Sequence, residues 1–253
     1  MIQFNPEQRF IVTGASSGIG EGVALLLNEL GATVIGIGRN VERLEGMKAK
    51  CKHPENTFVE QKELTEDIPG LPMYVKALRE KYGKFSGMAY CAGVSSIMPI
   101  RMFDYDVARK MFDVNYHAPM FMTKGMVDKR NNVGRGCSLV YISSIDAVTC
   151  SKGQPLYSGS KAALAASVKA ISKEVSPSGI RMNSVLPAMI KTPMTLNPAL
   201  SDTLGRRESD ESAMYPFGWG DVKDLATFVV YLLSDCAKFI TGQRYVYDSG
   251  ENY

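Results

Sequence analysis

The chain has 253 residues, of which 45% are hydrophobic and 22% are charged, as in ordinary soluble globular proteins. Its formal net charge of +3 is too small to indicate a nucleic-acid partner or an anionic membrane surface. No apolar run is long enough to span a membrane, and the first residues lack a signal-peptide pattern. The five cysteines form no CxxC pair and there are only two histidines, so we expect a reduced, cytoplasmic protein without a structural metal.

Short apolar segments rich in β-forming residues alternate with longer helical patterns. The predicted strands are 10–13, 33–37, 57–60, 85–90, 138–143, 181–186 and 244–247, and the predicted helices are 19–30, 41–50, 70–82, 104–129, 157–176 and 221–234. Continuously apolar strands that alternate with helices are typical of a parallel sheet covered on both faces. We therefore predict an α/β fold: a Rossmann-type doubly wound parallel sheet of about seven strands with helices on both faces. Residues 1–253 are expected to form a single domain.

Three glycines follow the first predicted strand and open the first predicted helix. Gly14, Gly18 and Gly20 lie in TGASSGIG, residues 13–20. Gly14 permits a tight turn, whereas Gly18 and Gly20 let the backbone approach a pyrophosphate at the helix N-terminus, where free N–H groups and the helix dipole favour anions. The context of strand, loop, helix and strand predicts a dinucleotide site, and three turn glycines without a ligand are the alternative.

The spacing G-x-x-x-G-x-G differs from the commoner G-x-G-x-x-G pattern. It resembles the short-chain dehydrogenase/reductase family, whose TGxxxGxG motif matches residues 13–20, and the length of the chain fits the compact reductase branch. The resemblance extends to TGQRYVYDSG, residues 241–250. It implies a nicotinamide cofactor and hydride transfer between that cofactor and a carbonyl or secondary alcohol of a small molecule.

A second group of residues follows from the same resemblance. The strand SLVYISS ends at Ser144, thirteen residues before Tyr157, and Lys161 lies four positions after Tyr157. The resemblance assigns these as the catalytic serine, tyrosine and lysine, and Asn115 in FDVNYHAP as the asparagine that completes the tetrad. Taken alone, YxxxK is near chance, and each residue has an ordinary alternative: a turn cap, a half-buried ring or a solvated charge.

These residue types suit carbonyl reduction, which needs a proton donor beside the growing alkoxide. A free tyrosine has a pKa of about 10, and a neighbouring lysine ammonium is expected to lower the pKa of Tyr157. Because residues i and i+4 share a helix face, Lys161 is expected beside Tyr157. Ser144 would donate a hydrogen bond to the substrate oxygen. By resemblance, Lys161 also binds the nicotinamide ribose, and Asn115 holds a water that links Lys161 to solvent.

The choice between NADP and NAD depends on the end of the second predicted strand, which reads IGRN, residues 37–40. Gly38 stands where NAD-preferring relatives carry aspartate, and Arg39 is a cation able to pair with a 2′-phosphate. We therefore favour NADP, with NAD as the less favoured cofactor. The other interpretation is that Arg39 is an ordinary exposed residue, and no second basic residue lies in the glycine loop.

Further positions resemble the cofactor contacts of the family. Glu63 and Leu64 occupy the place of the family's DVT sequence, where an acidic side chain meets the adenine amine, and Ile190 and Thr192 match contacts to the nicotinamide carboxamide. YCAG, residues 90–93, replaces the common NNAG. Both asparagines are lost, so the interactions that hold this strand in place are expected to differ. The predicted cofactor-binding residues are Gly14, Ser16, Ser17, Gly18, Ile19, Gly20, Arg39, Glu63, Leu64, Cys91, Ala92, Gly93, Tyr157, Lys161, Pro187, Ile190 and Thr192.

The segment after the sixth predicted strand, about residues 188–216, is long and rich in proline and methionine. It follows a strand on the side where open α/β sheets bind ligands, so we interpret it as a substrate-binding loop, with a variable surface excursion as the alternative. The predicted substrate-binding residues are Ser144, Asp146, Gln154 and Tyr157. Of these, Asp146 and Gln154 could contact a hydroxylated substrate.

These patterns predict an NADP(H)-dependent oxidoreductase that acts on a small-molecule carbonyl or alcohol, with Tyr157 as general acid and base and with no nucleic-acid, membrane or metal partner. The alternative is a non-catalytic nucleotide-binding regulatory protein on the same scaffold, which would not require the complete catalytic set. By resemblance, segments 104–129 and 157–176 pair between subunits, so a homodimer or homotetramer is expected.

Overall fold

A computed structural model of the chain describes residues 2–196 and 215–250. Within these ranges one parallel sheet contains β1 Arg9–Thr13, β2 Thr33–Gly38, β3 Thr57–Gln61, β4 Gly87–Tyr90, β5 Ser138–Ile142, β6 Arg181–Pro187 and β7 Arg244–Tyr247. Their order in the sheet is β3-β2-β1-β4-β5-β6-β7. The order reverses between β1 and β4, and ligands bind at such a reversal, outside the carboxyl ends of the strands. The predicted α/β fold class is confirmed.

Helices cover both faces of this sheet. They are α1 Gly18–Glu29, α2 Val41–Ala49, α3 Leu71–Tyr82, α4 Tyr105–Phe112, α5 Ala118–Met126, α6 Asp146–Thr149, α7 Pro155–Val175 and α8 Val222–Leu233. Alternate strand residues enter different cores, because successive side chains of a strand point to opposite faces. In β2, Val34 packs in the core beneath α1 and α8, and Ile35 packs in the core beneath α3, α5 and α7.

A buried arginine connects the first residue of β6 to the end of α8. Arg181 donates hydrogen bonds to the carbonyl oxygens of Leu232 at 2.8 Å and Ser234 at 2.9 Å. The last carbonyls of a helix have no partner within the helix and carry the negative end of its dipole. The guanidinium therefore satisfies these groups and holds α8 against the sheet.

Three differences from the sequence-based elements bear on the site. The predicted helix 104–129 is two helices, α4 and α5, joined by a π-helical turn at Asp113–His117. The predicted helix 157–176 begins two residues earlier, at Pro155, because proline is favoured in the first helical turn. The four residues of α6 are too few to show a periodic pattern and were not predicted.

Part of the predicted substrate-binding loop, residues 197–214 of 188–216, lies outside the described residues. No helix in the described part of the chain is both long and apolar enough to cross a membrane. The same part of the chain contains no group of three or more metal-ligating side chains close enough to hold a metal ion.

Candidate active site

The glycine loop forms the tight turn between β1 and α1. Gly14 and Gly18 have φ angles of 67° and 57°, a region that glycine adopts without strain. A Cβ atom at Gly20 would overlap the Gly14 carbonyl group. Gly20 is therefore needed for the close approach of α1 to the turn, in addition to its predicted role in admitting a pyrophosphate.

An open cleft lies over this loop. The predicted cofactor-binding residues that line it are Gly14, Ser16, Ser17, Gly18, Ile19, Gly20, Arg39, Glu63, Leu64, Cys91, Ala92, Gly93 and Thr192. Lys62 and Thr65 also line it and were not predicted. The signal that could have found Lys62 is its position immediately before Glu63, at the end of β3.

Arg39 and Glu63 meet at the rim of this nucleotide cleft. Arg39 Nη1 lies 3.5 Å from Glu63 Oε2, and the arginine side chain is 72% exposed. Glu63 Oε1 accepts hydrogen bonds from Thr65 N at 3.1 Å and Thr65 Oγ1 at 2.9 Å. Burial raises the pKa of Glu63, but the Thr65 hydrogen bonds and the Arg39 charge together hold this pKa below its ordinary value. Glu63 is therefore a carboxylate paired with a cation at neutral pH.

The loop after β4 is braced without the two asparagines that the family commonly carries. Thr13 Oγ1 accepts hydrogen bonds from Cys91 N and Ala92 N, each at 3.1 Å. The Tyr90 hydroxyl donates to the Val114 carbonyl oxygen at 3.2 Å. The end of β1 thus holds the backbone of Cys91 and Ala92, and Tyr90 connects β4 to the π-helical turn.

A second cleft brings together the predicted catalytic and substrate-binding side chains except Asn115. Ser144, Asp146, Gln154, Tyr157 and Lys161 all line it, as do the predicted cofactor contacts Pro187, Ile190 and Thr192. The two clefts are continuous, because residues such as Gly93 and Val94 line both of them. A molecule in the second cleft would therefore contact the end of a cofactor that extends from the first.

Lys161 is buried beneath Tyr157. Its Nζ atom lies 5.8 Å from the centre of the Tyr157 ring and donates a hydrogen bond to the Ile142 carbonyl oxygen at 2.9 Å. The side chain is only 4% exposed, and burial lowers the pKa of Lys161 from its ordinary 10.5 to about 8. The expected placement of both side chains on one face of α7 is thus observed.

The pKa of Tyr157 differs from the sequence-based expectation. Burial raises it to about 12, the hydrogen bond with Ser144 offsets part of this rise, and the charge of Asp146 adds to it. The expectation that Lys161 lowers the pKa of Tyr157 is therefore wrong for this structure. Burial of the phenolate dominates the shift, and the Lys161 ammonium donates its hydrogen bond to the Ile142 carbonyl oxygen instead of to Tyr157.

Asn115 lies in the π-helical turn and is fully buried. Its Oδ1 accepts from Val94 N at 2.9 Å, and its Nδ2 donates to Val94 O at 2.9 Å and to Ser160 Oγ at 3.0 Å. Both amide protons are used, so this side chain holds the loop after β4 against α7. The predicted role of Asn115 in holding a water stays a prediction.

Comparisons with known proteins support the same fold and the same family. The family model described as enoyl-(acyl carrier protein) reductase matches residues 14–252. The chain belongs to the short-chain dehydrogenase/reductase family. It is accordingly an oxidoreductase that acts on CH–OH or C=O groups with a nicotinamide cofactor.

Individual short-chain dehydrogenases/reductases align over nearly the whole chain. The 3-oxoacyl-[acyl-carrier-protein] reductase FabG of Rickettsia conorii is 34% identical over 238 residues, 92% of each chain. The L-rhamnose 1-dehydrogenase (NAD(P)(+)) of Sphingomonas sp. is 30% identical and covers 95% of this chain and 94% of its own. A short-chain type dehydrogenase/reductase structure from Mycobacterium ulcerans has a TM-score of 0.87 at 31% identity and covers 99% of this chain and 91% of its own.

Asp146, two residues after Ser144, is a polar residue of the second cleft. The Asp146 N–H donates to Ser144 Oγ at 3.2 Å, and Asp146 Oδ1 accepts from Ser151 N at 3.1 Å. The N–H of Asp146 uses an acceptor position of Ser144 Oγ and leaves the serine proton available to an acceptor. Gln154, just before α7, is 4% exposed and also lines the second cleft.

Proposed function

We propose that this protein is an NADP(H)-dependent oxidoreductase that transfers a hydride between the cofactor and a carbonyl or secondary alcohol of a small molecule. Tyr157 is the general acid and base. The observation that carries the proposal is the meeting of Ser144, Tyr157 and Lys161 in a cleft that continues into the glycine-loop cleft. The cofactor, when bound, supplies or accepts the hydride.

The protonation state of Tyr157 suits reduction at neutral pH. With a pKa of about 12 the phenol keeps its proton, which it can give to the oxygen of a carbonyl as negative charge develops. The Ser144 hydroxyl, which lines the same cleft as the phenol, would donate to the same substrate oxygen and stabilise that charge. In the reverse direction the phenolate would accept the alcohol proton.

Lys161 and Gly93 support cofactor binding beside Tyr157. A Cβ atom at residue 93 would lie 3.2 Å from Lys161 Nζ, so the absence of a side chain leaves space over the ammonium group. A cofactor ribose in this space would accept hydrogen bonds from Lys161, as the family resemblance implies. The same ammonium would restore a proton to Tyr157 after turnover, because its pKa of about 8 is close to neutral.

Two features support NADP over NAD. Arg39 and Lys62 both line the nucleotide cleft, which provides two cations for a 2′-phosphate. At Gly38 a Cβ atom would lie 3.2 Å from Ser16 Oγ and 3.3 Å from Leu44 Cδ2, so the aspartate of NAD-preferring relatives would be crowded. Comparison of kcat/KM for NADPH and NADH tests this preference, and a clear preference for NADH would contradict it.

The Tyr157→Phe variant tests the mechanism against the alternative of a non-catalytic nucleotide-binding protein. NADPH oxidation is measured with a panel of ketones, aldehydes and keto-sugars, and NADPH binding by fluorescence. We expect Tyr157→Phe to lose turnover and to keep NADPH binding. Tyr105→Phe, at a residue that is 78% exposed, is the matched control and keeps both. An active Tyr157→Phe protein refutes the mechanism.

We propose a single catalytic domain over residues 1–253 in which the loop of about residues 188–216 contacts the substrate, a cytoplasmic location, and a homodimer or homotetramer. Light scattering checks the assembly, and a monomeric mass at working concentration would contradict it.

A further inference from the structure

The second cleft contains a buried glutamine whose side-chain oxygen has no hydrogen-bond partner in the described residues. Gln154 Oε1 is inaccessible to solvent and accepts no hydrogen bond from any group in residues 2–196 or 215–250. The side chain is 4% exposed and faces the cleft. Buried polar groups are nearly always hydrogen-bonded, and one that is not destabilises the folded protein. An unpartnered amide oxygen at this position therefore indicates a ligand group that donates a hydrogen bond to it.

A carboxylate with an unused oxygen lines the same cleft. Asp146 is 8% exposed, and its Oδ1 accepts from Ser151 N. Its Oδ2 accepts no hydrogen bond within the described ranges. A carboxylate accepts hydrogen bonds and donates none, so its ligand partner must be a donor. Near a reacting oxygen that becomes negative, an unpaired carboxylate would oppose the reaction.

We infer that Asp146 and Gln154 form a polar subsite for a hydroxyl group on the carbon next to the reacting carbonyl or alcohol, so that the substrate is a neutral polyhydroxylated molecule such as a sugar or a polyol. This inference rests on the proposed function of the same cleft. A hydroxyl donates one hydrogen bond and accepts two, so it can donate to Asp146 and accept from the Gln154 amide. A second hydroxyl along the chain can donate to Gln154 Oε1.

The same groups disfavour a 3-oxoacyl thioester. Next to its reacting carbonyl such a substrate presents a CH₂ group and a second carbonyl, neither of which can donate to Asp146 Oδ2. Binding would leave the carboxylate desolvated and unpaired. Apolar side chains such as Met189 and Met194 complete the cleft and suit the C–H faces of a sugar.

The first experiment compares substrates with the unmodified protein. NAD(P)⁺-dependent oxidation is measured with pentoses, hexoses, their 2-deoxy analogues and acyclic polyols, and NADPH-dependent reduction with acetoacetyl-coenzyme A and simple ketones. We expect one or more hydroxylated substrates to have the highest kcat/KM. Removal of the hydroxyl next to the reacting carbon should lower kcat/KM by about 100-fold or more, because the buried polar groups are then left unpaired.

The second experiment changes the polar subsite. Asp146→Asn and Gln154→Met should each lower kcat/KM for the hydroxylated substrate by about tenfold, the loss of one hydrogen bond to a buried group. Both losses should shrink for the deoxy analogue, a response that a merely structural role would not produce. NADPH affinity should stay unchanged, because neither residue lines the nucleotide cleft. Asp106→Asn, at an exposed side chain on α4, is the matched control.

The outcomes separate this inference from the proposed function. Preferred reduction of acetoacetyl-coenzyme A or simple ketones overturns the polyhydroxylated substrate and leaves the oxidoreductase in place. Turnover of amino alcohols without turnover of neutral polyols also overturns it, because the carboxylate would then recognise a cation. If no probe in the panel is turned over while NADPH binds, both the inference and the proposed function fail.

Discussion

Gly93 lies directly over the ammonium group of Lys161. A Cβ atom at residue 93 would lie 3.2 Å from Lys161 Nζ and 3.4 Å from Asn115 Oδ1. Lys161 in turn is held by the Ile142 carbonyl oxygen at 2.9 Å. The absence of one methyl group therefore determines where the ammonium can lie relative to Tyr157.

The Gly93→Ala variant tests this relationship. The added methyl group meets the flexible end of Lys161, so the side chain can shift by a few tenths of an ångström and the protein should fold. We expect kcat to fall by about tenfold or more, because a small misplacement of catalytic groups is costly. Gly46→Ala is the matched control, since a Cβ atom there meets nothing within 4 Å. Steady-state kinetics and thermal melting are compared, and unchanged kcat in Gly93→Ala would contradict the prediction.

The buried charge of Lys161 predicts a pH-dependent stability difference. The pKa of Lys161 is about 8 in the folded protein and 10.5 ordinarily, so the unfolded chain binds more protons between these values. The contribution of Lys161 to the free energy of unfolding therefore rises with pH across this window. Below about pH 8 the folded protein bears the full cost of burying the charged ammonium.

The Lys161→Met variant removes the titrating group. The unfolding free energy of Lys161→Met relative to wild type should fall by on the order of 3 kcal/mol from pH 7 to pH 10.5. The reason is that wild type becomes more stable as the buried Lys161 loses its charge, whereas the variant has no such group. Urea unfolding of both proteins at several pH values measures this difference. A difference that is constant with pH would show that Lys161 keeps its ordinary pKa.

Lys62 predicts a selective effect on the phosphorylated cofactor. Its side chain lines the nucleotide cleft and lies 3.4 Å from Glu66 Oε2, an exposed partner that it can leave. Lys62→Gln should lower kcat/KM for NADPH by about tenfold and change that for NADH by about twofold or less, since only NADPH carries the 2′-phosphate. Lys76→Gln on α3 is the control. Equal losses with both cofactors would remove Lys62 from the proposed phosphate site.

Replacement of Arg181 should lower stability without affecting the residues of the candidate active site. Arg181 is 7% exposed and donates hydrogen bonds to carbonyl oxygens at the end of α8. It lies at the opposite end of β6 from Pro187, which lines the second cleft. Arg181→Met should lower the unfolding free energy by about 3 kcal/mol, because it leaves several buried carbonyl groups unpaired. Arg109→Met, on exposed α4, should change it by about 0.5 kcal/mol or less. A small effect at Arg181 in urea unfolding would contradict this assignment.

Much of the fold and of the candidate site could be predicted because its signals are local. The seven strands were predicted from apolar runs. The glycine loop and the spacing from Ser144 to Tyr157 and Lys161 are short sequence motifs that can be recognised without a structure. Boundaries were less accurate where a helix changes character, as at the π-helical turn that contains Asn115. This turn contacts α7 through the hydrogen bond from Asn115 to Ser160 and contacts β4 through the bond from Tyr90 to the Val114 carbonyl oxygen. Local periodicity in the sequence carries no information about such contacts.

The sequence by itself determined which residue types stand at the cofactor loop and at the catalytic positions, since spacing along strands and helices is set by backbone geometry. Only the tertiary structure decided their electrostatic state and their neighbours. Burial raises the pKa of Tyr157 although a lysine lies four residues away, Lys62 lines the nucleotide cleft, and Gln154 Oε1 has no hydrogen-bond partner among the described residues. Desolvation and hydrogen bonding depend on residues that are distant in the chain, so these properties appear only when the sheet and helices are assembled.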